Sequence, residues 1–391
     1  MNTKTTASSL LNITNKKTRL SLVLIFLILL FKDSTVTNIS IFLIGSLLGA
    51  TLNYFLFGFR TCSNLMLEKG KTLGVRSVLI LFGVSTLLFF PIINMSELND
   101  NQLFGYVQPL SLSIVIGAFA FGAGMQVAGS CTSGTLNKIG KLQPISVTSL
   151  IFLLIGGTLA AYHNEFWRSL PTLPAVSLLS EFGLWNGIFI QLSVIVFLYF
   201  SAIILEKYFT KGIEPLLPKK QAWNPLNWHI WLQAIMLLAI LNTLLLLISG
   251  SPWSIANIFP IWGLKLIELF NLPLEWEFWE YSITNMHRME RSIIEDNVSL
   301  TTLGLIFGAL MVTLFSKTTV KPTATNKIDY KQHAYSIIGG LIMGYGSVIA
   351  FGCNIGALFS GIASGSLHGW LWGISALAGS GVIIFIKRYV R

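Results

Sequence analysis

The sequence predicts an all-α, polytopic membrane protein with about ten transmembrane helices. Of its 391 residues, 53% are hydrophobic and only 11% are charged, whereas roughly a quarter of the residues in a soluble domain carry charge. The apolar residues are also gathered into runs of about the length that crosses a bilayer as a helix. A chain of this composition cannot cover itself with a polar surface, which excludes a soluble globular fold.

Ten apolar runs are predicted to be transmembrane helices. The first, Leu20–Phe31, follows a polar and basic start, and no small-residue cleavage motif comes after it. We therefore interpret it as a retained anchor helix and not as a signal peptide. The other nine runs are Ile41–Phe59, Val78–Ile93, Leu110–Ala128, Ile145–Ala161, Gly187–Ile204, Ile230–Ser249, Leu300–Phe315, Ala334–Ala350 and Leu367–Ile386.

The net charge of +10 reflects membrane orientation. Lysine and arginine occur in alternate loops between the apolar runs, and the acidic residues occur in the loops between those. By the positive-inside rule, both termini of a multi-pass protein of the bacterial cytoplasmic membrane are predicted to be cytoplasmic. The expected surroundings are membrane lipid, and nucleic-acid binding is not expected. On this reading Arg60, Lys138 and Lys141 are topology charges.

An internal repeat organises the chain. The pattern G-x4-G-x-G-x6-C-x2-G occurs once from Gly117 to Gly134, around Cys131, and again from Gly339 to Gly356, around Cys353. The predicted topology gives the helices before the two cysteines opposite directions through the membrane. Inverted repeats of this kind build transporters whose substrate site lies near the bilayer midplane and is formed by broken helices.

Short apolar pieces are predicted to be re-entrant half-helices, because each is too short to span and irregular backbone at membrane depth must be buried in protein or line a cavity. Four pieces qualify: Ser63–Leu67, Thr135–Ile139, Ile255–Phe270 and Ala357–Ser364. The predicted organisation is a cytoplasmic segment with an anchor helix (1–40), a first repeat (41–165), a linking helix with a basic loop (166–228) and a second, inverted repeat (229–391).

The motifs A-G-S-C-T-S-G and F-G-C-N-I-G, together with the early Arg60-x-Cys62, resemble those of the YeeE/YedE family of sulfur-transport membrane proteins. The resemblance covers the chain from about Ile41 to the C-terminus. It implies thiosulfate uptake along a path marked by Cys62, Cys131 and Cys353, and a cytoplasmic TusA-like sulfurtransferase as a partner. Ser130 stands where the family usually has glycine, and Phe351 where it usually has a small residue.

Thiosulfate is a small dianion with a soft terminal sulfur, so its path needs weak donors and positive potential. Backbone N–H groups at half-helix N-termini supply both, and a neutral thiol adds a weak donor. The thiols must stay protonated to avoid repelling the dianion, and an apolar setting favours that state. The predicted substrate-binding residues are Gln126, Gly129, Ser130, Thr132, Ser133, Gly134, Gly352, Asn354 and Gly356.

Three other interpretations remain open from the residues alone. The substrate is either thiosulfate or another sulfur or selenium anion. A membrane enzyme for thiol or persulfide transfer would need a paired C-x-x-C or an activating base, and the sequence has neither beside its cysteines. A structural subunit would not need a repeated thiol loop. No cofactor is expected, and no catalytic residue or metal ligand is predicted, because no histidine pair has ligand spacing.

Overall fold

The computed structural model describes residues 31, 34–98, 101–216, 229–315 and 330–389. Nine long helices dominate this part of the chain, and each coincides with a predicted apolar run. The long helices are α1 (Val36–Tyr54), α3 (Leu73–Asn94), α4 (Leu112–Ala128), α6 (Pro144–Tyr162), α8 (Leu178–Thr210), α9 (Ile230–Ser249), α13 (Asn297–Phe315), α14 (Tyr330–Ile349) and α16 (Leu367–Tyr389).

Eight helical spans are long and apolar enough to cross a membrane, and two of them, Val36–Lys69 and Leu112–Gly140, include the short helix that follows α1 or α4. Helix α14 becomes a ninth when it is taken together with the segment Asn354–Ala363, which follows it at a bend of 42°. The protein is therefore a multi-pass helical membrane protein, as predicted. The exact number of spans stays a prediction, because the anchor run Leu20–Phe31 lies, except for Phe31, outside the described residues.

Each of the four predicted half-helices overlaps a short helix between the long ones, and their re-entrance into the membrane stays a prediction. These short helices are α2 (Phe59–Lys69), α5 (Thr132–Gly140), α10 (Ile258–Leu269) and the π-helix Asn354–Ser360, which runs into α15 (Gly361–Ala363). Further short helices lie in the connections between long helices. They are α7 (Asn164–Arg168), between α6 and α8, and the 3₁₀ turn Trp276–Phe278, α11 (Glu280–Thr284) and α12 (Met286–Met289), between α10 and α13. Two small antiparallel two-stranded sheets pair β1 (Glu97–Leu98) with β2 (Asn101–Gln102), and β3 (Pro109–Ser111) with β4 (Thr172–Ala175).

Helix α8 is longer than its predicted span, Gly187–Ile204. It begins nine residues earlier because Gly183, at φ 73° and ψ 178°, bends the chain and joins two helical stretches. Large apolar side chains on α8 point away from the protein, among them Trp185, Phe189 and Phe197 with 79%, 73% and 71% of their surface exposed. An apolar helix with this much apolar exposure is suited to face lipid.

The repeated glycines lie where α4 and α14 cross. A β-carbon on Gly117 would lie 2.8 Å from the carbonyl oxygen of Gly346, and one on Gly124 would lie 2.9 Å from that of Gly339. Because Gly117 corresponds to Gly339 in the repeat and Gly124 corresponds to Gly346, the two contacts are reciprocal. Two antiparallel helices related by an internal two-fold axis would pack in this way. The inverted repeat as a whole stays a prediction.

The corresponding glycines Gly122 and Gly344 extend the reciprocal pattern. Gly122 packs against the backbone of Ala376 in α16, and Gly344 packs against that of Leu153 in α6. In both pairs a β-carbon would collide with a carbonyl group. Small residues that let helix backbones approach are typical of membrane helix interfaces.

Replacing Gly346 with leucine should destabilise the fold by about 1–3 kcal/mol or more, because its β-carbon would lie 2.6 Å from the Gly117 carbonyl oxygen. The matched control is Gly381→Leu, since no atom lies within 4 Å of a β-carbon at Gly381 in α16. Thermal unfolding of the purified variants should show a large loss of Tm for Gly346→Leu and little for Gly381→Leu. Equal Tm values would rule out the close crossing.

Loops assigned to the same side of the membrane by charge contact one another. Phe104 N–H, after β2, donates to the carbonyl of Gly250 after α9 at 2.8 Å. On the opposite side, Lys71 forms an ion pair with Glu214. This grouping agrees with the predicted alternation of loops. Which of the two sides is cytoplasmic stays a prediction.

Candidate substrate pathway

Cys131 begins helix α5. Helix α4 ends at Gly129, whose left-handed φ of 70° turns the chain, and Cys131 then takes the N-cap position of α5. Its Sγ accepts a hydrogen bond from Gly134 N–H at 3.3 Å and lies 3.4 Å from Ser133 Oγ. The thiol thus occupies the position that serine, threonine, asparagine or aspartate usually fills at a helix start. Cys131 is buried, with 3% of its surface exposed.

Cys353 lies at the second break, between α14 and the π-helix. The break is made by Phe351 and Gly352, whose φ values are 56° and 148°. A bulky aromatic residue in the left-handed region is strained, and Gly352 takes a backbone conformation that favours glycine. Cys353 is fully buried and makes no side-chain cap. π-Helical turns are rare and occur frequently at functional sites.

The three thiols are called here the thiol cluster, because Cys62 and Cys353 each interact electrostatically with Cys131. Cys62 is buried in α2 and lies against Gly74 of α3, where a β-carbon would be 3.0 Å from its Sγ. Cys131 lies within electrostatic range of both Cys62 and Cys353. All three cysteines are free thiols. Residues separated by up to 291 positions in the chain are therefore brought together around the first repeat's loop.

Buried polar atoms without hydrogen-bond partners surround this cluster. Among the predicted residues they are Gln126 Nε2, Thr132 Oγ1 and Asn354 Oδ1, and Thr135 Oγ1 is a fourth that the sequence did not single out. The Thr132 side chain lies beside the Cys353 thiol without hydrogen-bonding geometry. An unsatisfied buried polar group costs about 1–3 kcal/mol. These atoms are therefore available to hydrogen-bond water or another polar species.

The remaining predicted residues either line a cavity beside Cys131 or make packing contacts near Cys353. Gly129, Ser130, Ser133 and Gly134 line a cavity beside Cys131. The carbonyl of Gly352 accepts a hydrogen bond from the Trp372 indole at 3.2 Å. The Asn354 amide lies 3.8 Å from the Met125 sulfur. At Gly356 a β-carbon would lie 3.3 Å from the Tyr106 hydroxyl.

The cavity beside Cys131, called here the Cys131 cavity, has a volume of about 260 Å³. Arg60, Lys138 and Lys141 contribute to its wall, and the lining contains no aspartate or glutamate. A neighbouring cavity of about 250 Å³ shares Gly129, Ser130 and Lys138 with it. Sequence analysis missed these basic residues as site residues, because charges in a loop that sets topology look the same as charges that line a cavity.

A second group of residues that the sequence did not single out surrounds the Cys353 break. The Arg168 guanidinium carbon lies 4.1 Å from the centroid of the Phe351 ring, a cation–π distance. The Tyr106 hydroxyl donates to the Phe351 carbonyl at 2.7 Å, and the Asn257 amide donates to that hydroxyl at 3.4 Å. Burial raises the pKa of Tyr106 above its usual range, so the hydroxyl remains a donor.

The acidic segment Leu274–Asp296, which follows α10, contributes a buried ion pair to the surroundings of the Cys353 break. Arg288 donates to both carboxylate oxygens of Asp296, at 2.8 and 2.9 Å, and Asp296 accepts from Ser299 N–H at the start of α13. Burial acts to raise the pKa of Asp296, but the contacts with Arg288 and Ser299 outweigh it and hold that pKa below its usual range. Arg288 also donates to the Asn257 carbonyl at 3.3 Å, which ties this segment to the Tyr106 contact.

Within the described ranges, no group of three or more histidine, cysteine, aspartate or glutamate side chains is arranged to hold a metal ion. The described residues around Cys131 and Cys353 offer thiols, hydroxyls, amides and the N-terminus of α5, with a basic cavity beside Cys131.

Comparison with known proteins gives a family match over most of the chain. A family model described as "Sulphur transport" matches residues 56–382. Two relatives named "Probable transporter YedE" are 30% identical over 161 residues in Escherichia coli and 28% identical over 162 residues in Salmonella typhimurium. Each alignment covers 41% of this chain and 38% of that relative, so the chain matches well under half of their length.

A third relative aligns over a longer stretch. The "Thiosulfate transporter TsuA" of Spirochaeta thermophila is 25% identical over 315 residues, which are 71% of this chain and 79% of that protein. Its alignment covers more of this chain than either YedE alignment does.

Proposed function

This chain belongs to the sulphur transport family, YeeE/YedE, and from that premise we propose that it takes up thiosulfate across the bacterial cytoplasmic membrane along a path that passes Cys353, Cys131 and Cys62. The similarity to TsuA, a protein named as a thiosulfate transporter, supports thiosulfate as the substrate. The observation that carries the proposal is the position of Cys131, a buried thiol at a helix start that interacts electrostatically with both other thiols.

The path suits a small soft dianion. Thiol S–H groups donate weakly, and weak, repeated sites let an ion leave as readily as it enters. The N-terminal end of α5 adds positive potential from its helix dipole. Unpaired polar atoms at Gln126, Thr132 and Asn354 offer further hydrogen bonds along the way. Neutral groups of this kind replace part of the hydration shell without trapping the ion.

The inverted repeat gives the two breaks opposite positions in this path. The reciprocal glycine contacts between α4 and α14 support it, as does the grouping of the loops. In this arrangement the Cys353 break faces the outside, with Arg168 and Tyr106 around it, and the Cys131 cavity opens toward the cytoplasm. Lysine-rich loops on the Cys131 side support that orientation.

Labelling of single cysteines tests the orientation. In a background without native cysteines, a membrane-impermeant maleimide should label Glu277→Cys in intact cells and should label Lys211→Cys only after the membrane is opened. Both side chains are exposed, so a difference in labelling reports the side of the membrane. The reverse pattern would overturn the orientation and the direction of the path.

Uptake of radiolabelled thiosulfate by cells that lack other sulfur importers tests the substrate. Expression of the protein should raise the initial rate above that of cells with an empty vector. Unlabelled thiosulfate should compete more strongly than sulfite, selenite or sulfate at equal concentration. A rate no higher than that of the empty vector would refute thiosulfate uptake, and stronger competition by selenite or sulfite would reassign the substrate within the family.

A further inference from the structure

The Cys131 cavity carries charge that membrane topology does not explain. A lysine or arginine that only sets orientation is expected to extend its charged end into water. Arg60 instead has its Nε atom buried without a hydrogen-bond partner, and its side chain lines the cavity together with Lys138 and Lys141. One carboxylate, that of Glu68, lies within electrostatic range of Arg60, but Glu68 is not part of the cavity wall.

A hydrogen bond fixes the position of the Lys138 side chain in the wall of this cavity. Its Nζ donates to the carbonyl of Gly129 at 3.1 Å, which leaves two of the three ammonium N–H groups for another acceptor. Arg60 and Cys131 both lie within electrostatic range of Lys138. Like charges gathered around one cavity repel each other, and a bound anion would relieve that repulsion.

The start of α5 contributes to the same cavity. This helix has nine residues, and Ser133 and Gly134 from its first turn are part of the cavity wall. A helix N-terminus favours negative charge through its unpaired N–H groups and its dipole. Arg60 comes from a different helix, α2, and lines the same cavity; its half-buried side chain keeps an N–H group, at Nε, that has no hydrogen-bond partner among the described residues.

We infer that Arg60, Lys138, Lys141 and the first turn of α5 form an inner binding site for a divalent oxyanion. The inference rests on the proposed function and deepens it: the dianion passes from the Cys131 thiol to this basic site before release. The site makes the inner end of the path the more positive one, which draws the dianion inward past the neutral thiols. Arg60, which the sequence analysis interprets as a topology charge, thus binds the oxyanion directly.

Thermal unfolding of the purified full-length protein tests the site without requiring transport. Sodium thiosulfate, compared with sodium chloride at matched ionic strength, should raise the Tm of the unmodified protein, since a ligand of the folded state stabilises it. Arg60→Gln and Lys138→Gln should each raise the apparent Kd for thiosulfate about tenfold or more, as expected for the loss of a charged hydrogen bond. The variant with both substitutions should show no shift.

Matched controls keep the test decisive. Lys69→Gln removes a positive charge from the exposed end of the same helix α2 and should leave the thiosulfate shift unchanged. Arg60→Lys keeps the charge and should retain most of the shift. Should the double variant not fold, Lys141→Gln provides a third single variant at the cavity wall, with the same expected loss of affinity.

The outcomes separate this inference from the proposed function. An unchanged shift in Arg60→Gln and Lys138→Gln, or no thiosulfate-dependent shift in the unmodified protein, would overturn the inner site, whether or not the cells take up thiosulfate. A shift that the substitutions remove, in a protein that shows no thiosulfate uptake, would support the site and refute the proposed function.

Discussion

Cys353→Ala is expected to lower thiosulfate uptake to the level of cells that carry an empty vector. Cys353 is fully buried at the break between α14 and the π-helix, and it lies in series with Cys131 on the proposed path. Alanine keeps the packing but removes the S–H donor. The measurement is the initial uptake rate in cells without other sulfur importers, normalised to the amount of protein in the membrane.

Cys353 is a cleaner position for this test than Cys131. The Cys353 side chain makes no cap for the helix that follows, so alanine should cost little stability there. At Cys131 alanine would also remove the acceptor for Gly134 N–H, and the loss of an ordinary N-cap costs about 0.5–2 kcal/mol. Serine at Cys353 should restore uptake only in part, because its oxygen is harder and more strongly hydrated than sulfur.

The other thiols supply internal comparisons. Cys62→Ala should cause a smaller loss, because Cys62 lies at the inner end of the path and has no counterpart in the second repeat. Replacing both Cys131 and Cys353 with alanine should be little worse than either change alone, since residues that act as a unit are not additive. Uptake at the unmodified rate by Cys353→Ala would mean that the repeat is architectural and that backbone groups alone line the path.

Cys131→Asp is expected to abolish uptake while the protein remains folded in the membrane. A carboxylate at this position would repel a dianion at the centre of the thiol cluster. Aspartate is also among the best N-cap residues, so it can accept the Gly134 N–H bond that the thiol now accepts and preserve the start of α5. Uptake and membrane abundance should therefore respond differently to the same substitution.

Cys131→Asn is the matched control for charge. Asparagine has the shape of aspartate, caps helices equally well and carries no charge, so it should retain clearly more uptake than aspartate. Fluorescence-detected size exclusion and Tm would report whether both variants fold. Normal uptake by a folded Cys131→Asp variant would remove Cys131 from the substrate path.

Much of the fold could be predicted from the sequence because a bilayer narrows the choices. Runs of apolar residues must form helices where water is absent, and each of the nine long helices in the described ranges follows one of the predicted runs. The short helices were predictable because pieces such as Thr135–Ile139 are too short to span. Boundaries were less accurate where a local bend extends a helix, as Gly183 does in α8.

The site was predictable only where the repeat or the family motifs marked it. Cys131 and Cys353 occupy matching positions in the two repeat copies, but the crossing of the antiparallel helices α4 and α14 does not by itself bring them together. The breaks after these helices turn the chain back, so that Asn354 reaches Met125 of α4. Nothing in the sequence indicates that Tyr106 contacts the Phe351 carbonyl, because the two are 245 residues apart. Arg60 lies two residues before the motif cysteine Cys62. Its role depends on whether its guanidinium extends into water or lines a cavity. The sequence does not show this, because the cavity is formed by residues of both α2 and the start of α5.

Entry of radiolabelled thiosulfate into proteoliposomes tests the central claim most directly, because the purified protein is then the only transport protein present. We expect liposomes that contain the unmodified protein to take up thiosulfate faster than protein-free liposomes, and those with Cys353→Ala to match the protein-free rate at equal protein content. Equal uptake by the unmodified protein and Cys353→Ala, or no uptake by either, would contradict thiosulfate transport along a path of buried thiols.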